Sequence, residues 1–554
     1  MNFSDYKSDV ITEYIIAKKI VCFENCSRAE LLLCDTPRQA RLGNDNVCKI
    51  NNGGSILLDF GEELHGGLSV TIQKVANKGS CLRIVFGESV MEALSNIGEK
   101  NSSNDHSPRD ILSEVNDYTT IKVGHTGFRF AKLEAVGGDV SVSGCCAAFE
   151  HRNIECRGNF DSSDALLNKI WHTGKRTVFL NMQDYLWDGI KRDRLVWIGD
   201  MHAEISAISC TFGECDIVNK SLDFVMESTS HGEWMNGIPS YSLWWIIIQY
   251  EWYLYTGNIN YIKKNSKYIL NHIKNIVSTI KSDGTDSFIC DLGYLDDSNP
   301  YIAYFIDWET YGTQESKSGF YSVVIMALRA SSFLCRILGD ELLEKKCESK
   351  ISLVQSMNFP AASNRQMASL MALADLDNAK NVNARLLSKE PVADITTFLG
   401  YYTLLAKGKA GDVSGAIDII KKYWGRMIEL GATTFWESFD YPSSEDAYPI
   451  DVIVPPDKKD IHGDFGAFCY KSFRASLCHG WASGPTPFLS RYVLGVNVIE
   501  PGCRKLLIKS HLDGLDWVRG IYPTPFGDVR IEAERNADKC TVKVDAPPEV
   551  EIVY

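Results

Sequence analysis

The chain lacks a long hydrophobic run. Its most apolar stretch, Leu243 to Leu254, is interrupted by Gln249 and Glu251. That falls short of the roughly 20 apolar residues a bilayer-crossing helix needs, so no membrane partner is expected. Positive charge is also in deficit. The 57 Lys and Arg against 71 Asp and Glu leave a balance of −14. A surface of that sign repels phosphate backbones, which argues against nucleic acid as a partner. The 17 cysteines are odd in number and contain no CxxC pair, with Cys145 and Cys146 adjacent. Such spacing offers neither a disulfide framework nor a zinc-finger pattern, and free buried thiols are expected. The opening MNFSDYKSDVITEY has no basic segment followed by an apolar one. No secretory leader is read from it, and a reducing, cytoplasmic location is the expectation. A tight internal repeat is missing too, which disfavours an open solenoid.

What is present is an ordinary globular composition, 45% hydrophobic and 23% charged over 554 residues, enough for about two to four domains. The chain changes character twice. From about residue 50 to 150 the runs SILLDF, LSVTIQKV, CLRIVFGE, DYTTIKV, FRFAKLEAV and DVSVSGCCAAF alternate in polarity between Gly, Asn and Asp, the pattern of an antiparallel β-sandwich. From about 160 to 480 the apolar period lengthens to that of helices, as in YSLWWIIIQYEWYLYTG and GFYSVVIMALRASSFLCRILG. Upwards of about ten such segments with no strand pattern between them predict a helical toroid, an (α/α)6 barrel. After about 490 strands return in KLLIKSHL, WVRGIYPTPFG, DVRIEAER and TVKVDAP. The expected fold is therefore a multidomain α and β protein. Its parts are an N-terminal sandwich over 1–157, a barrel over 158–487 and a smaller C-terminal sandwich over 488–554.

Eleven of the twelve tryptophans lie between Trp171 and Trp481, and several stand beside acids. Trp187 precedes Asp188, Trp197 comes three residues before Asp200, Trp308 follows Asp307, and Trp436 precedes Glu437. Indoles in a helical core are commonly packing. Indoles alternating with carboxylates also suit sugars, because the C–H face of a ring stacks on the indole while carboxylates take its hydroxyls. Three clusters stand out. YLWDGIKRDRLVWIGDMHAE, residues 185–204, holds Asp188, Lys191, Arg192, Asp193, Arg194 and Asp200. It reads either as a solvated loop of weak ion pairs or as a site on a rigid scaffold. GATTFWESFDYP places Glu437 between Trp436 and Phe439, and a carboxylate so flanked is either structurally paired or tuned for chemistry. SLCHGWASGP carries His479 and Trp481, and a lone histidine there is as readily a satisfied core residue as a functional one.

Together these clusters resemble the bacterial α-L-rhamnosidases of glycoside hydrolase family 78. The family pattern around its proton donor, D-x-P-x-R-D-E-R-x-G-W-x-G-D, is similar to the run from Asp188 to Asp200, with the spacing of Asp193 and Asp200 kept. Its G-A-T-T-x-W-E segment stands intact as Gly431 to Glu437, and its S-x-N-H segment looks like Ser476 to His479. LLDFGEELHGG, IVFGES, PSYSLWW, the Asp307–Trp308 pair and LSRYVLGV extend the likeness over most of the chain. The run departs from the pattern at positions that bear on the chemistry. Asp193 stands where the family has its general-acid Glu, Lys191 where it has Arg, and Val196 where it has Gly.

The resemblance implies an inverting glycoside hydrolase that needs no metal or organic cofactor. Asp193 would be the general acid and Glu437 the general base, about 6.5–9.5 Å apart to admit a water. Asp188, Lys191, Asp200, Asp307 and His479 would contact the sugar, with Trp197, Trp244, Trp308 and Trp436 packing on it. The partner is then a small glycoside or oligosaccharide ending in α-L-rhamnose, and a homodimer is compatible with the sequence. Rival readings remain: a glycosidase of the same barrel type acting on another sugar, a non-catalytic carbohydrate-binding protein, and a purely structural helical scaffold.

Overall fold

The structure, a computed structural model, describes residues 9–35, 39–291, 299–536 and 539–554. Two compact units are built from interleaved segments. The first comprises residues up to Asn153 with Phe179–Leu195 and Arg426–His479; the second comprises Ile154–Val178, Val196–Gly425 and Gly480–Tyr554.

The first unit is organised on a seven-stranded sheet. Its strands are β1 (Val10–Ile15), β2 (Lys19–Ser27), β3 (Cys48–Val75), β4 (Cys81–Gly87), β5 (Asp110–Glu114), β6 (Thr120–Val136) and β7 (Val140–Arg152). Their order is β1-β7-β3-β6-β4-β5, with β2 also on β3, and every pairing is antiparallel. Two pairs of runs that glycines divide in the sequence are each a single strand, β3 and β6. The glycines do not end these strands. They let them bend, and the register of β3 on β6 shifts between Asp59 and Leu64 and again between Gly66 and Leu68, as bulges do. Val142 of β7 pairs with Cys48 on one side and Ile72 on the other, so the sheet curls until β3 meets β7 from both edges.

Alternate residues of β3, including Ile56, Leu58, Phe60, Leu68, Val70 and Ile72, fill one core with Leu82, Ile84, Phe86 and Phe128. Burying each such side chain contributes about 1.5–3 kcal/mol. Leu180, Ile190 and Cys478 join the same core, which seats the two later segments on the sheet. A smaller core of Leu57, Val90, Ala93 and Phe130 lies on the opposite face. Asp59 accepts two bonds from the Arg129 guanidinium at 2.9 and 3.0 Å, and Arg129 also donates to the Gly431 carbonyl at 3.0 Å. A buried, bidentate pair of this kind fixes both partners, here tying GATTFWE to the sheet.

The second unit is mainly helical. Its helices start and stop at chemically suitable residues. Thr313, Asp340 and Asn364 accept side-chain caps at the starts of Gln314–Leu338, Glu341–Ser356 and Arg365–Leu373, while Gly257, Gly339 and Gly411 close helices in the left-handed conformation. Pro239–Thr256 is mainly apolar and buried over most of its length. It packs against Gln314–Leu338, which packs in turn on Glu341–Ser356. By composition Gln314–Leu338 is long and apolar enough to cross a membrane, yet 67% of its most apolar window is buried among other helices. Core packing accounts for that apolarity. Two sheets complete the unit. Trp517–Thr524, Gly527–Asn536 and Lys539–Asp545 take a fourth strand, Asn159–Ser162, from the chain that precedes the helices. Val496–Glu500, Lys505–Ile508 and Glu551–Val553 form the other.

Gly66 has φ +135°, and a methyl group there would run into the Ala148 carbonyl of β7. Gly66→Ala is expected to destabilise the first unit by at least about 2–3 kcal/mol, the sum of backbone strain and overpacking. Urea denaturation followed by circular dichroism checks this; an unchanged midpoint would remove the close approach from the argument.

Candidate active site

In the first unit, residues 187–195 form a closed loop. Asp188 closes it, its amide donating to the Leu195 carbonyl at 3.1 Å while the Leu195 amide donates to the Asp188 carboxylate at 2.9 Å. Asn181 donates to the Asp188 carbonyl at 3.0 Å. Ile190 anchors the loop in the sheet core, its carbonyl accepting from Gly127 at 3.0 Å. To return within so few residues, the chain turns through Asp193 and Arg194 at φ 55° and 53°, a left-handed conformation that non-glycine residues adopt at a cost of about 1–3 kcal/mol each.

Lys191 points inward. Its buried ammonium meets Glu88 at 2.9 Å and Glu92 at 3.2 Å and donates to the carbonyls of Phe473 at 2.9 Å and Ala475 at 2.6 Å. Its donors are thus taken up within the protein, where Lys191 is the internal counter-charge of two buried acids. Burial pushes Glu88 up, and Lys191 only partly offsets it, leaving the group at about 7. For Glu92 burial also raises the pKa, but Lys191, His462 and Arg109 prevail and hold it below the ordinary carboxylate range. His462 bridges Ser89 at 2.9 Å and the Ala475 carbonyl at 3.1 Å. Burial keeps its pKa down at about 3, so the ring is neutral.

Arg192 turns the other way. Its guanidinium donates to Asp193 at 2.9 Å, to the Arg474 carbonyl at 3.2 Å and to Glu437. Glu437 is 3% exposed and Asp193 19%, so one guanidinium joins a buried carboxylate to one at the rim. The Ser476 amide donates to the Glu437 carboxylate at 2.9 Å, and His479 Nδ1 lies 4.0 Å from it. Burial raises the Glu437 pKa; Arg192, then His479 and the Ser476 amide, outweigh it and hold the carboxyl below its ordinary range. Trp436 is buried edge-to-face against Phe439, with ring centroids 5.6 Å apart. The structure therefore brings Asp188, Asp193, Glu437 and His479 into one framework with Lys191 and Trp436.

The other expected residues belong to the second unit. Asp200, 2% exposed, stands at the start of helix Met201–Thr211 and accepts from the Tyr241 hydroxyl at 3.4 Å. Trp197 packs edge-on against that tyrosine ring. Asp307 accepts from the Trp308 amide at 2.7 Å and from Thr396 at 3.4 Å. Trp308 meets the rings of Phe305 and Tyr311. Trp244 is fully buried, with His202 stacked 4.8 Å away and Tyr402 at 5.0 Å. Its ring packs within the helical core rather than beside the Glu437 framework.

Glu88, Glu92 and His462 were not singled out from the sequence. A signal existed for Glu92: Ser89 caps helix Val90–Leu94 and accepts from the Glu92 amide, while the Glu92 carboxylate accepts from the Glu88 amide, a variant of the S-x-x-E capping pattern. Among the described residues, two clusters have ligand atoms within 4.8 Å of one another, as a metal site requires. One is Glu88, Glu92 and His462, already shared by the Lys191 ammonium. The other is His65, His125 and Glu150. There Arg194 donates to His125 Nδ1 at 2.9 Å, which places a positive charge beside the cluster and leaves the Nε2 proton for Glu150, 3.1 Å away.

A buried carboxylate held ionised and a rim carboxylate share one guanidinium here, with an indole alongside. Residues 155–321 match the bacterial alpha-L-rhamnosidase 6 hairpin glycosidase domain, and residues 495–553 match the bacterial alpha-L-rhamnosidase C-terminal domain. In these two segments the chain is similar to the bacterial alpha-L-rhamnosidases. An alpha-L-rhamnosidase of Formosa agariphila is 24% identical over 164 residues, which are 28% of this chain and 17% of that protein. The family 78 rhamnosidase of Bacillus sp. GL1 superposes with a TM-score of 0.73 at 19% identity, covering 94% of this chain and 55% of its own. The Klebsiella oxytoca rhamnosidase with rhamnose bound gives 0.64 at 18% identity, covering 87% and 95%. The chain spans about a sixth of the Formosa protein and about half of the Bacillus one. At these identities the solved structures establish a shared fold.

Lys191→Met would leave Glu88 and Glu92 as buried charges without their counter-ion, a loss of about 3–5 kcal/mol in unfolding free energy. Protonation relieves such charges, so the deficit should be smaller at about pH 5 than at about pH 8. Urea melts at the two values test this; an equal deficit at both would refute the assignment of Lys191 as counter-charge.

Proposed function

We propose that this protein is an inverting exo-glycoside hydrolase that releases terminal α-L-rhamnose from small glycosides or oligosaccharides. The observation that carries the reading is Glu437, a deeply buried carboxylate held ionised by Arg192 beside the rim acid Asp193. In the proposed step, Asp193 gives its proton to the leaving glycosidic oxygen. The Glu437 carboxylate takes a proton from a water that attacks the anomeric carbon from the opposite face, and the configuration inverts. An ionised group is what a base must be at the start of that step, and the Ser476 amide and His479 orient it. Asp188, Trp436 and His479 are proposed as sugar contacts on geometry. Trp197, Asp200, Asp307 and Trp308 are assigned to the sugar on resemblance alone. The related fold supports an (α/α)6 barrel over 158–487 with β-sandwiches over 1–157 and 488–554 as the domain plan. The substrate assignment is supported by what the relatives' names state of them.

A second reading is favoured by the direct bond from Arg192 to Asp193. If the guanidinium never releases that carboxylate, the protein is a carbohydrate-binding relative without turnover, or a glycosidase for a different sugar whose leaving group draws Asp193 away.

Aryl α-L-rhamnoside hydrolysis is expected, falling about 10²–10⁴-fold in Asp193→Asn and in Glu437→Gln. Hydrolysis unchanged in both variants would discard the pair, and release of another sugar, lost in both, would discard rhamnose alone. Arg192→Leu removes the foremost influence that keeps Glu437 ionised. Activity that needs the carboxylate disappears as pH falls through its pKa, so the acidic limb of the pH–rate profile should move upward by about 1–3 pH units. A limb that stays in place would separate Glu437 from the proton-accepting step.

A further inference from the structure

The second unit contains a cavity of about 360 Å³, within the range of small-molecule sites, about 300–1,000 Å³. None of the proposed catalytic or sugar-contact residues lines it. Its floor is one face of helix Met201–Thr211, where His202, Ser206 and Ser209 recur at helical spacing. Glu251 enters from helix Pro239–Thr256, Tyr401 from helix Gly400–Ala410, Arg491 from the turn before strand Val496–Glu500, and Tyr522 from strand Trp517–Thr524.

The polar groups are arranged for a ligand. One oxygen of Glu251 bonds His202 Nε2 at 3.0 Å, and His202 Nδ1 is 2.9 Å from the Tyr402 hydroxyl. His202 also packs on the rings of Trp244 and Tyr402, so Glu251 is held by a ring fixed through both nitrogens and its neighbours. The carboxylate nonetheless keeps 46% of its side-chain surface open, and its other oxygen accepts no bond among the described residues. Arg491 donates Nε to Asn497 at 3.1 Å. Its two terminal amino groups have no acceptor among the described residues; the guanidinium lies 5.6 Å from the Tyr492 ring centroid and also feels Tyr401, Glu251 and Tyr522. An open guanidinium fork faces acceptors, an open carboxylate oxygen faces a donor, and tyrosine rings supply flat apolar walls.

We propose that this cavity is a second binding site, for a neutral polyol ring of monosaccharide size. A pair of neighbouring hydroxyls satisfies it: their oxygens accept from the Arg491 fork, one of their protons goes to Glu251, and the C–H face of the ring lies on tyrosine. Arg491 and Glu251 balance each other, so a neutral molecule enters without leaving a charge uncompensated. A free amino acid is the competing occupant, with its carboxylate on Arg491 and its ammonium on Glu251. The tyrosine walls favour the sugar, because a small amino acid leaves them uncovered. The inference does not depend on the catalytic assignment of Asp193 and Glu437.

The test is titration calorimetry of the full chain with L-rhamnose, D-glucose and D-galactose, and with L-alanine as the zwitterion. Each is repeated on Arg491→Met, which removes the fork from an exposed position, and on Ser209→Phe, which fills the cavity from its floor. At least one sugar should bind wild type with a component weakened about tenfold or more in both variants, the loss expected from bonds to a charged group. Melting temperatures should stay at the wild-type value, which separates site loss from misfolding. Sugar isotherms identical in wild type and both variants would overturn the proposal, as would the absence of any sugar binding. L-alanine binding that depends on Arg491, with no sugar doing so, would replace the polyol by a zwitterion and overturn it equally.

Discussion

Bringing the Lys191 ammonium out of water costs several kcal/mol unless its bonds are replaced, and the first unit is arranged around replacing them. Glu88 follows strand β4, Glu92 lies on the short helix after it, and the Phe473 and Ala475 carbonyls come from a segment far along the chain. One charge therefore fastens three stretches of sequence together. The neighbouring residues inherit their positions from it. With Lys191 turned inward, Arg192 points away to Glu437, and the chain must reverse through the left-handed pair Asp193–Arg194 to reach the Asp188–Leu195 closure. The rim acid is thus placed by backbone strain that a buried ion pair sustains.

The same unit holds buried acids in different ionisation states, and the difference is one of neighbours. Glu437 faces Arg192, His479 and a backbone amide and stays ionised. Glu88 shares Lys191 with Glu92 and is pushed up to about 7. Burial raises both; the balance of cations to carboxylates decides the outcome. An ionised carboxylate at the candidate site and acids that hold the scaffold are thereby kept apart within a single sheet-based unit.

Much of this was legible in the chain's own pattern. The alternation of SILLDF and FRFAKLEAV marks strands, the mainly apolar make-up of Pro239–Thr256 marks a core helix, and DGIKRDRLVWIGD and GATTFWE mark the segments that carry Asp193 and Glu437. The glycines of β3 were harder to read. In sequence they look like breaks, and in the sheet they are bulges, because the difference lies in whether another strand comes close, as Ala148 does at Gly66. Lys191 and Trp244 show the same limit. A lysine between charged residues and a tryptophan beside another tryptophan give no sign of which will be enclosed, since enclosure depends on residues far along the chain, such as Phe473 for Lys191 and Tyr402 for Trp244.

The sequence by itself determined the local terms: the period of each element, the caps that start and stop the helices, the sign of the net charge, and the presence of acids beside indoles. These depend on residues within a few positions of one another, where spacing and chemistry are enough. Only the tertiary structure decided which acid met which cation. That choice made Glu437 an ionised carboxylate, Lys191 a counter-charge and Glu251 an open acceptor, because Coulomb interactions and desolvation act through space and take no account of distance along the chain.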